Sequence, residues 1–228
     1  MKLYTFWRAN SPWRVRIALA LKDVPHEVVF VDLGAGQQHA DTYRGLNLAE
    51  QVPVLELDER GPDGQPRRIT QSMAIIEYLE ERFPTPPLLP ADPWERARAR
   101  QLAEIVNSGT QPFQNLATTK KVKELGADPQ KWLEHFIGRG LSVLERAAAE
   151  TAGAFLVGEA PTIADVYLVP QLYAARRFSV DLAPFPTLVR VDQACATLPA
   201  FQKAHPDAQL DRSDGGLRPP VPPLASRG

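Results

Sequence analysis

The chain has 228 residues with 44% hydrophobic content, enough to fill one large core or two modest ones. A net charge of −1 provides no overall field for nucleic acid or an acidic membrane, and a single cysteine, Cys195, excludes an internal disulfide and a cysteine-built zinc site. The histidines His26, His39, His135 and His205 lack metal-ligand spacing, and no apolar run approaches the ~20 residues of a membrane span. With no signal-peptide pattern after Met1-Lys2, the expectation is a soluble, cytoplasmic, metal-free protein.

In chain order, the first eighty residues alternate strand and helix. Leu3–Phe6 is predicted as a strand, Pro12–Lys22 as a helix, Glu27–Asp32 as a strand and Ala40–Leu46 as a short helix. Two more strands are expected at Val54–Asp58 and Arg67–Ile69, divided by the turn signal Gly61-Pro62-Asp63-Gly64. A helix over Ser72–Phe83 places Ala74, Ile75, Tyr78 and Leu79 on one stripe. Four short strands make a small α/β layer. The run Pro84-Thr85-Pro86-Pro87-Leu88-Leu89-Pro90 then breaks all periodicity and reads as a semi-rigid linker.

Beyond the linker the strand signal fades, and amphipathic stretches cover Trp94–Leu116, Gln130–Ala152, Thr162–Phe178 and Leu188–Thr197. The fold class expected is thus a thioredoxin-like α/β domain over 1–84 and an all-α domain over 91–212, with a disordered Pro- and Gly-rich tail from Ser213. Pro161-Thr162-Ile163-Ala164-Asp165 fits a capping box, so its role is helix initiation. Cys195, in a helical stretch, reads as a buried small hydrophobe.

Three places carry candidate chemistry. Ser11-Pro12 marks a helix start, with Ser11 as the cap and Pro12 at the first helical position. A helix start also offers N–H donors and partial positive charge, which lower the pKa of a thiol placed there. With no cysteine in this loop, such a thiolate must come from a bound molecule. Val52-Pro53 precedes a strand, where proline is an ordinary strand entry. Gln71-Ser72 opens a helix whose N–H groups suit a carboxylate, although Thr70 or Ser72 would equally serve as a cap. Arg8 stands before the first loop, and Arg176-Arg177 closes an apolar helix, where cations also favour the dipole.

The stretch FWRANSPWRVRIALALK resembles the zeta-class glutathione transferases, which include glutathione-dependent maleylacetoacetate and maleylpyruvate isomerases and commonly show F-R-S-S-C-S-W-R-V-R-I-A-L here. The likeness continues through QVPVL, ITQSMAIIEYLEERFPTPPLLP, NSGTQPFQN, LVGEAPTIADVYLVPQLYAARRFSVDL and LPAFQKAHPD. One departure stands out: aligned on Trp13-Arg14-Val15-Arg16, the family's thiol-activating serine falls on Ala9, its next serine on Asn10 and its cysteine on Ser11. A smaller one is Asn47-Leu48 in place of Asn-Pro.

The resemblance implies glutathione as cofactor, with Asn10 and Ser11 as the remaining thiolate donors. It implies a cis Val52-Pro53 that frees the backbone of Val52 to pair with the cysteinyl part of the tripeptide, beside Gln51. Gln71 and Ser72 would hold the γ-glutamyl carboxylate, with Gln38 and Gln111 as further contacts. Arg8, Arg177 and Asn115 would receive a dicarboxylate substrate, arginine being able to clamp a carboxylate with two bonds, while Arg176 reads as a helix-end cation. The implied reaction is cis–trans isomerisation of maleylacetoacetate or maleylpyruvate in aromatic catabolism by a homodimer. Glutathione conjugation or dehalogenation of α-haloacids, or glutathione binding without turnover, are the alternatives.

Overall fold

The structure is a computed structural model and describes residues 1–209, so the expected tail from Ser213 lies outside the described residues. Two compact units form. One holds Met1–Pro87 together with residues 198–209, the other Leu88–Thr197.

The first unit is built on β1 (Lys2–Thr5), α1 (Asn10–Leu21), β2 (Glu27–Phe30), α2 (Asp41–Arg44), β3 (Val54–Arg60), β4 (Pro66–Thr70) and α3 (Ser72–Arg82). Its sheet runs in the order β2-β1-β3-β4. Strand β1 pairs parallel with β2, Leu3 opposite Val28, and antiparallel with β3, Leu3 opposite Leu55. The central position of β1 buries Leu3 and Thr5 completely, whereas β2, at the edge, leaves Val28 and Phe30 partly exposed. Helix α1 is buried without a break from Pro12 to Leu19, which suits its apolar sides but also encloses Arg14 and Arg16. It packs against α3.

Lys22, just after α1, is pinned on all sides. Its Nζ lies 2.6 Å from the Glu80 carboxylate and donates to the Phe83 carbonyl at 2.7 Å and the Pro86 carbonyl at 2.9 Å. The ion pair is buried and fully engaged, which is the condition under which such a pair holds its place. The Pro-rich segment is therefore anchored rather than a loose tether: Pro86 is held in the first unit, and the Leu88 carbonyl accepts the Ile163 N–H within the second.

The second unit contains α4 (Pro93–Asn107), α5 (Leu116–Glu124), α6 (Pro129–Ala148), α7 (Ile163–Arg177) and α8 (Pro186–Ala196). Helix α7 is buried on nearly every side from Ile163 to Leu172 and packs on α4 and α8. Side-chain caps start three of these helices: Asp92 caps α4, Asp128 caps α6, and Thr162 with Asp165 forms the expected capping box of α7. Cys195 is buried, as expected.

Two expectations are corrected. The predicted long helix Trp94–Leu116 ends at Asn107; Ser108-Gly109-Thr110 break it, Gln111–Gln114 form a 3₁₀ turn with Pro112, and α5 begins afresh at Leu116. The helical unit also does not hold the described residues 198–209. Helix α9 (Pro199–Ala204) and the turn Pro206–Ala208 return to the first unit and pack on α1. The physical reason is local. Arg16 Nε donates to the Ala204 carbonyl at 3.3 Å, and the Trp13 and His205 rings meet edge-on at 5.4 Å.

Candidate active site

The loop from β1 to α1 is a tight turn in which the Ala9 N–H donates to the Phe6 carbonyl at 3.3 Å. Ala9, extended at φ −72° and ψ 132°, occupies the cap position, so Ser11 is not the cap and Pro12 is not first; Asn10, Ser11 and Pro12 make up the first turn. Proline is tolerated there because the first-turn N–H groups have no helical acceptor in any case. No side chain caps α1, and the Trp13 N–H already reaches the Ala9 carbonyl at 3.1 Å. Main-chain donors and half-buried Asn10 and Ser11 side chains therefore gather at one positively polarised helix end. Arg8 lies alongside, its guanidinium 5.0 Å from the Trp7 ring and 6.0 Å from that of Phe6.

A backbone cradle is built on the same unit. The Val52–Pro53 peptide is cis. Immediately before it, the Gln51 carbonyl accepts two bonds, from the Tyr43 hydroxyl at 2.8 Å and from Asn47 Nδ2 at 2.7 Å. Burial pushes the Tyr43 hydroxyl well above its ordinary pKa, which keeps it a donor. Asn47 Oδ1 in turn accepts the Ala49 N–H at 3.0 Å. Asn47, Tyr43 and the half-buried Val52 thus hold the strand entry in one shape, and Val52 packs on the cluster of Val31, Tyr43 and Val54.

Gln71 takes the cap position of α3 at φ 69°, a left-handed value that a non-glycine residue rarely adopts. Neither Thr70 nor Ser72 caps this helix; no side chain does. Ser72 is buried at the first helical position, and its hydroxyl accepts from Arg14 Nη1 at 3.4 Å. The second turn of α1 and the start of α3 are connected in this way. Gln38 is buried in the turn Gln37–His39, with Nε2 3.0 Å from the His39 ring nitrogen Nε2 and an Oε1 that lacks a hydrogen-bond partner. His39 Nδ1 pairs with Glu50, which also accepts from Arg44 Nε at 2.7 Å.

These features fit a short acidic peptide carrying a thiol. Uncapped helix starts suit anionic groups, and a held strand entry suits an added backbone strand.

In the second unit, Gln111 and Asn115 are joined directly, Gln111 Nε2 donating to Asn115 Oδ1 at 2.9 Å. Their turn is braced from within: Trp132 Nε1 donates to the Phe113 carbonyl at 3.0 Å, Phe113 stacks on Phe136 at 4.1 Å, and Gln114 Nε2 donates to the fully buried Gln171 at 3.0 Å. Arg177 is exposed at the end of α7, 5.0 Å from the Phe178 ring. Arg176 is an ion-pair partner of buried Asp192 at 2.6 Å, so it is a structural bridge rather than a solvated helix end.

Sequence reasoning overlooked Arg14, Arg16, Tyr43 and Asn47 as supports of the site. A signal was present for the arginines, since two cations within the apolar run Pro12–Leu21 must be buried and must find oxygens.

Comparison with known proteins agrees with this geometry. Residues 10–82 match the glutathione S-transferase N-terminal domain and residues 130–199 the C-terminal domain. The maleylacetoacetate isomerase of Rattus norvegicus is 43% identical over 211 residues, covering 92% of this chain and 94% of its own. A maleylpyruvate isomerase of Ralstonia sp is 43% identical over 217 residues, covering 92% and 99%. The maleylacetoacetate isomerase of Anaeromyxobacter dehalogenans 2CP-1, solved with glutathione in its active site, is 54% identical with a TM-score of 0.85, covering 92% of this chain and 96% of that one. The same protein has also been solved with dicarboxyethyl glutathione and citrate in the active site, at 53% identity and a TM-score of 0.83 over the same shares of the two chains. A thioredoxin-like unit followed by a helical unit, matched over nearly its whole described length, places this chain in the zeta-class glutathione S-transferase family of maleylacetoacetate and maleylpyruvate isomerases.

Proposed function

We propose that this chain is a glutathione-dependent cis–trans isomerase of a maleyl-type dicarboxylate, either maleylacetoacetate or maleylpyruvate. The observation that carries the reading is the 54% identity to a maleylacetoacetate isomerase solved with glutathione in place. When bound, glutathione supplies a thiolate nucleophile that is returned unchanged at the end of the cycle.

The chain's own residues hold and polarise. The first turn of α1 offers main-chain N–H groups, the Asn10 amide and the Ser11 hydroxyl to a thiolate; charge-assisted bonds of this kind favour the ionised form. Val52, fixed by the clamp on Gln51, presents its backbone to the peptide, and Gln71 with Ser72 receives the γ-glutamyl carboxylate at the start of α3. Gln38 and Gln111 are assigned further contacts with the tripeptide. Arg8, Arg177 and Asn115 are assigned to the substrate carboxylates; bidentate arginine recognition would orient the dianion and offset its charge. Citrate and a dicarboxyethyl adduct in the relative's active site support an anion-rich substrate. The homodimer implied by the family belongs to the same proposal.

With Ala9 where the family has its serine, we assign the side-chain donors to the thiolate to Asn10 and Ser11. Asn10→Ala and Ser11→Ala are expected to lower kcat, at least one of them by about 10²-fold, the usual cost of removing a preorganised donor. Steady-state kinetics at saturating glutathione checks this. Unchanged turnover in both variants would remove these residues from the mechanism.

A further inference from the structure

Helix α7 encloses two strongly polar side chains, Asp165 and Gln171, both 0% exposed. Asp165 is accounted for by helix initiation, since it accepts the Leu156 and Thr162 N–H groups and the Thr162 hydroxyl. Gln171 has no part in a cap: it lies in the third turn, with buried Leu168 and Ala175 as its neighbours one turn to either side. Burying a carboxamide costs free energy unless it is hydrogen-bonded. Its Oε1 accepts from Gln114 Nε2 at 3.0 Å.

Gln114 closes the 3₁₀ turn Gln111–Gln114, whose own backbone bonds are long. The Phe113 N–H reaches the Thr110 carbonyl at 3.3 Å, and the Asn115 N–H reaches the Pro112 carbonyl at 3.4 Å. Side chains of two neighbouring helices add to them. Helix α6 holds Phe113 through Trp132 and Phe136, and α7 holds Gln114 through Gln171. Gln114 Nε2 also donates to the Thr110 carbonyl at 3.4 Å, so one amide ties both ends of the turn to α7. Gln111 and Asn115 span this same turn, side chain to side chain, at 2.9 Å. A shift of Gln114 therefore carries both with it. Gln171 stands six residues before Arg177, about 9 Å along the axis at about 1.5 Å per residue. One helix thus bears both Arg177 and the anchor of the turn.

We propose that Gln171 is a positioning residue for the second substrate: through Gln114 it fixes the turn that carries Asn115, and so holds Asn115 at a set distance from Arg177. The proposal rests on the assignment of Arg177 and Asn115 to the substrate carboxylates. A clamp for a dianion needs its groups at a fixed spacing, because hydrogen bonds weaken steeply once distance and angle are lost. An apolar residue would fill the same space in α7 without the burial cost of an amide, but it would give up this hold on the turn.

The test is steady-state kinetics of the full chain with maleylacetoacetate and with maleylpyruvate at saturating glutathione, beside a melting curve for each variant. Gln171→Met keeps the length of the side chain and removes the acceptor. It should raise the substrate KM about tenfold while kcat changes less than about threefold, a loss of binding rather than of chemistry. A merely structural glutamine would instead lower the folded fraction, and with it kcat, and leave KM alone. Gln114→Met should give the same rise, and the double variant should be no worse than either single one, since both remove one bond. An unchanged KM in folded Gln171→Met, or rises that multiply in the double variant, would overturn the proposal. If Gln171→Met does not fold, Gln114→Met, at a half-buried position in the turn, decides: a raised KM supports the proposal and an unchanged one overturns it. Failure of the unaltered protein to convert either substrate would instead overturn the proposed function, and this inference with it.

Discussion

Gly140 of α6 faces Thr110, and a Cβ built on it would lie 2.1 Å from the Thr110 hydroxyl oxygen and 2.6 Å from its methyl carbon. Thr110 cannot retreat easily: it is 1% exposed and donates to the Ile105 carbonyl at 2.8 Å. Gly138, two residues earlier in the same helix, has nothing within 4 Å of such a Cβ. Alanine at an open helical position gains up to about 1 kcal/mol, whereas overpacking costs about 1–3 kcal/mol. Gly138→Ala is therefore expected to raise the melting temperature and Gly140→Ala to lower it, although both replace glycine in one helix. Thermal melts of the pair check this, and a rise in both would contradict the packing. At this scale the sequence was informative about where helices start and silent about what supports those starts. Asn10, Ser11, Gln71 and Ser72 were legible because helix starts have a local signature. The clamp of Tyr43 and Asn47 on Gln51 depends on how a loop folds back over eight residues, and spacing does not encode that.

The element that most alters the reading of the chain is the C-terminal return, α9 with the turn after it. Its residues were legible as a family likeness, but its place was not, since α9 has six residues and too short an apolar pattern to choose a partner. The return depends on His205, which packs edge-on against Trp13 while its Nδ1 accepts the Asp207 N–H at 3.1 Å. Burial lowers the His205 pKa below its ordinary 6.5; Asp207 opposes this and the nearby Arg16 adds to it. The unfolded chain then binds more protons than the folded one in the window below pH 6.5, so stability rises with pH through that window and is lost as pH falls. Amide exchange over residues 199–208 should accelerate between pH 7.5 and 5.5 after correction for intrinsic rates, and His205→Phe should remove most of that dependence. Equal protection at both pH values would contradict it. The helix α5 shows the converse limit: a continuous amphipathic pattern over 94–116 hid a break that Gly109 and Pro112 only hinted at.

Across the whole molecule, the α/β unit followed by a helical unit was legible because periodicity changes abruptly at the Pro-rich segment. What that pattern could not supply was the chemistry, since the thioredoxin-like plan hosts many reactions. The proposed function assigns that chemistry to particular residues on each unit: the uncapped start of α1 and the held Val52 on one, Gln111, Asn115 and Arg177 on the other. The measurement that tests the account most directly follows the isomerisation of maleylacetoacetate and of maleylpyruvate spectrophotometrically, with and without glutathione, while quantifying free glutathione. The account predicts conversion of at least one substrate to its fumaryl isomer that requires glutathione and consumes none. Conversion of neither substrate by protein that binds glutathione, or equal conversion in its absence, would contradict it.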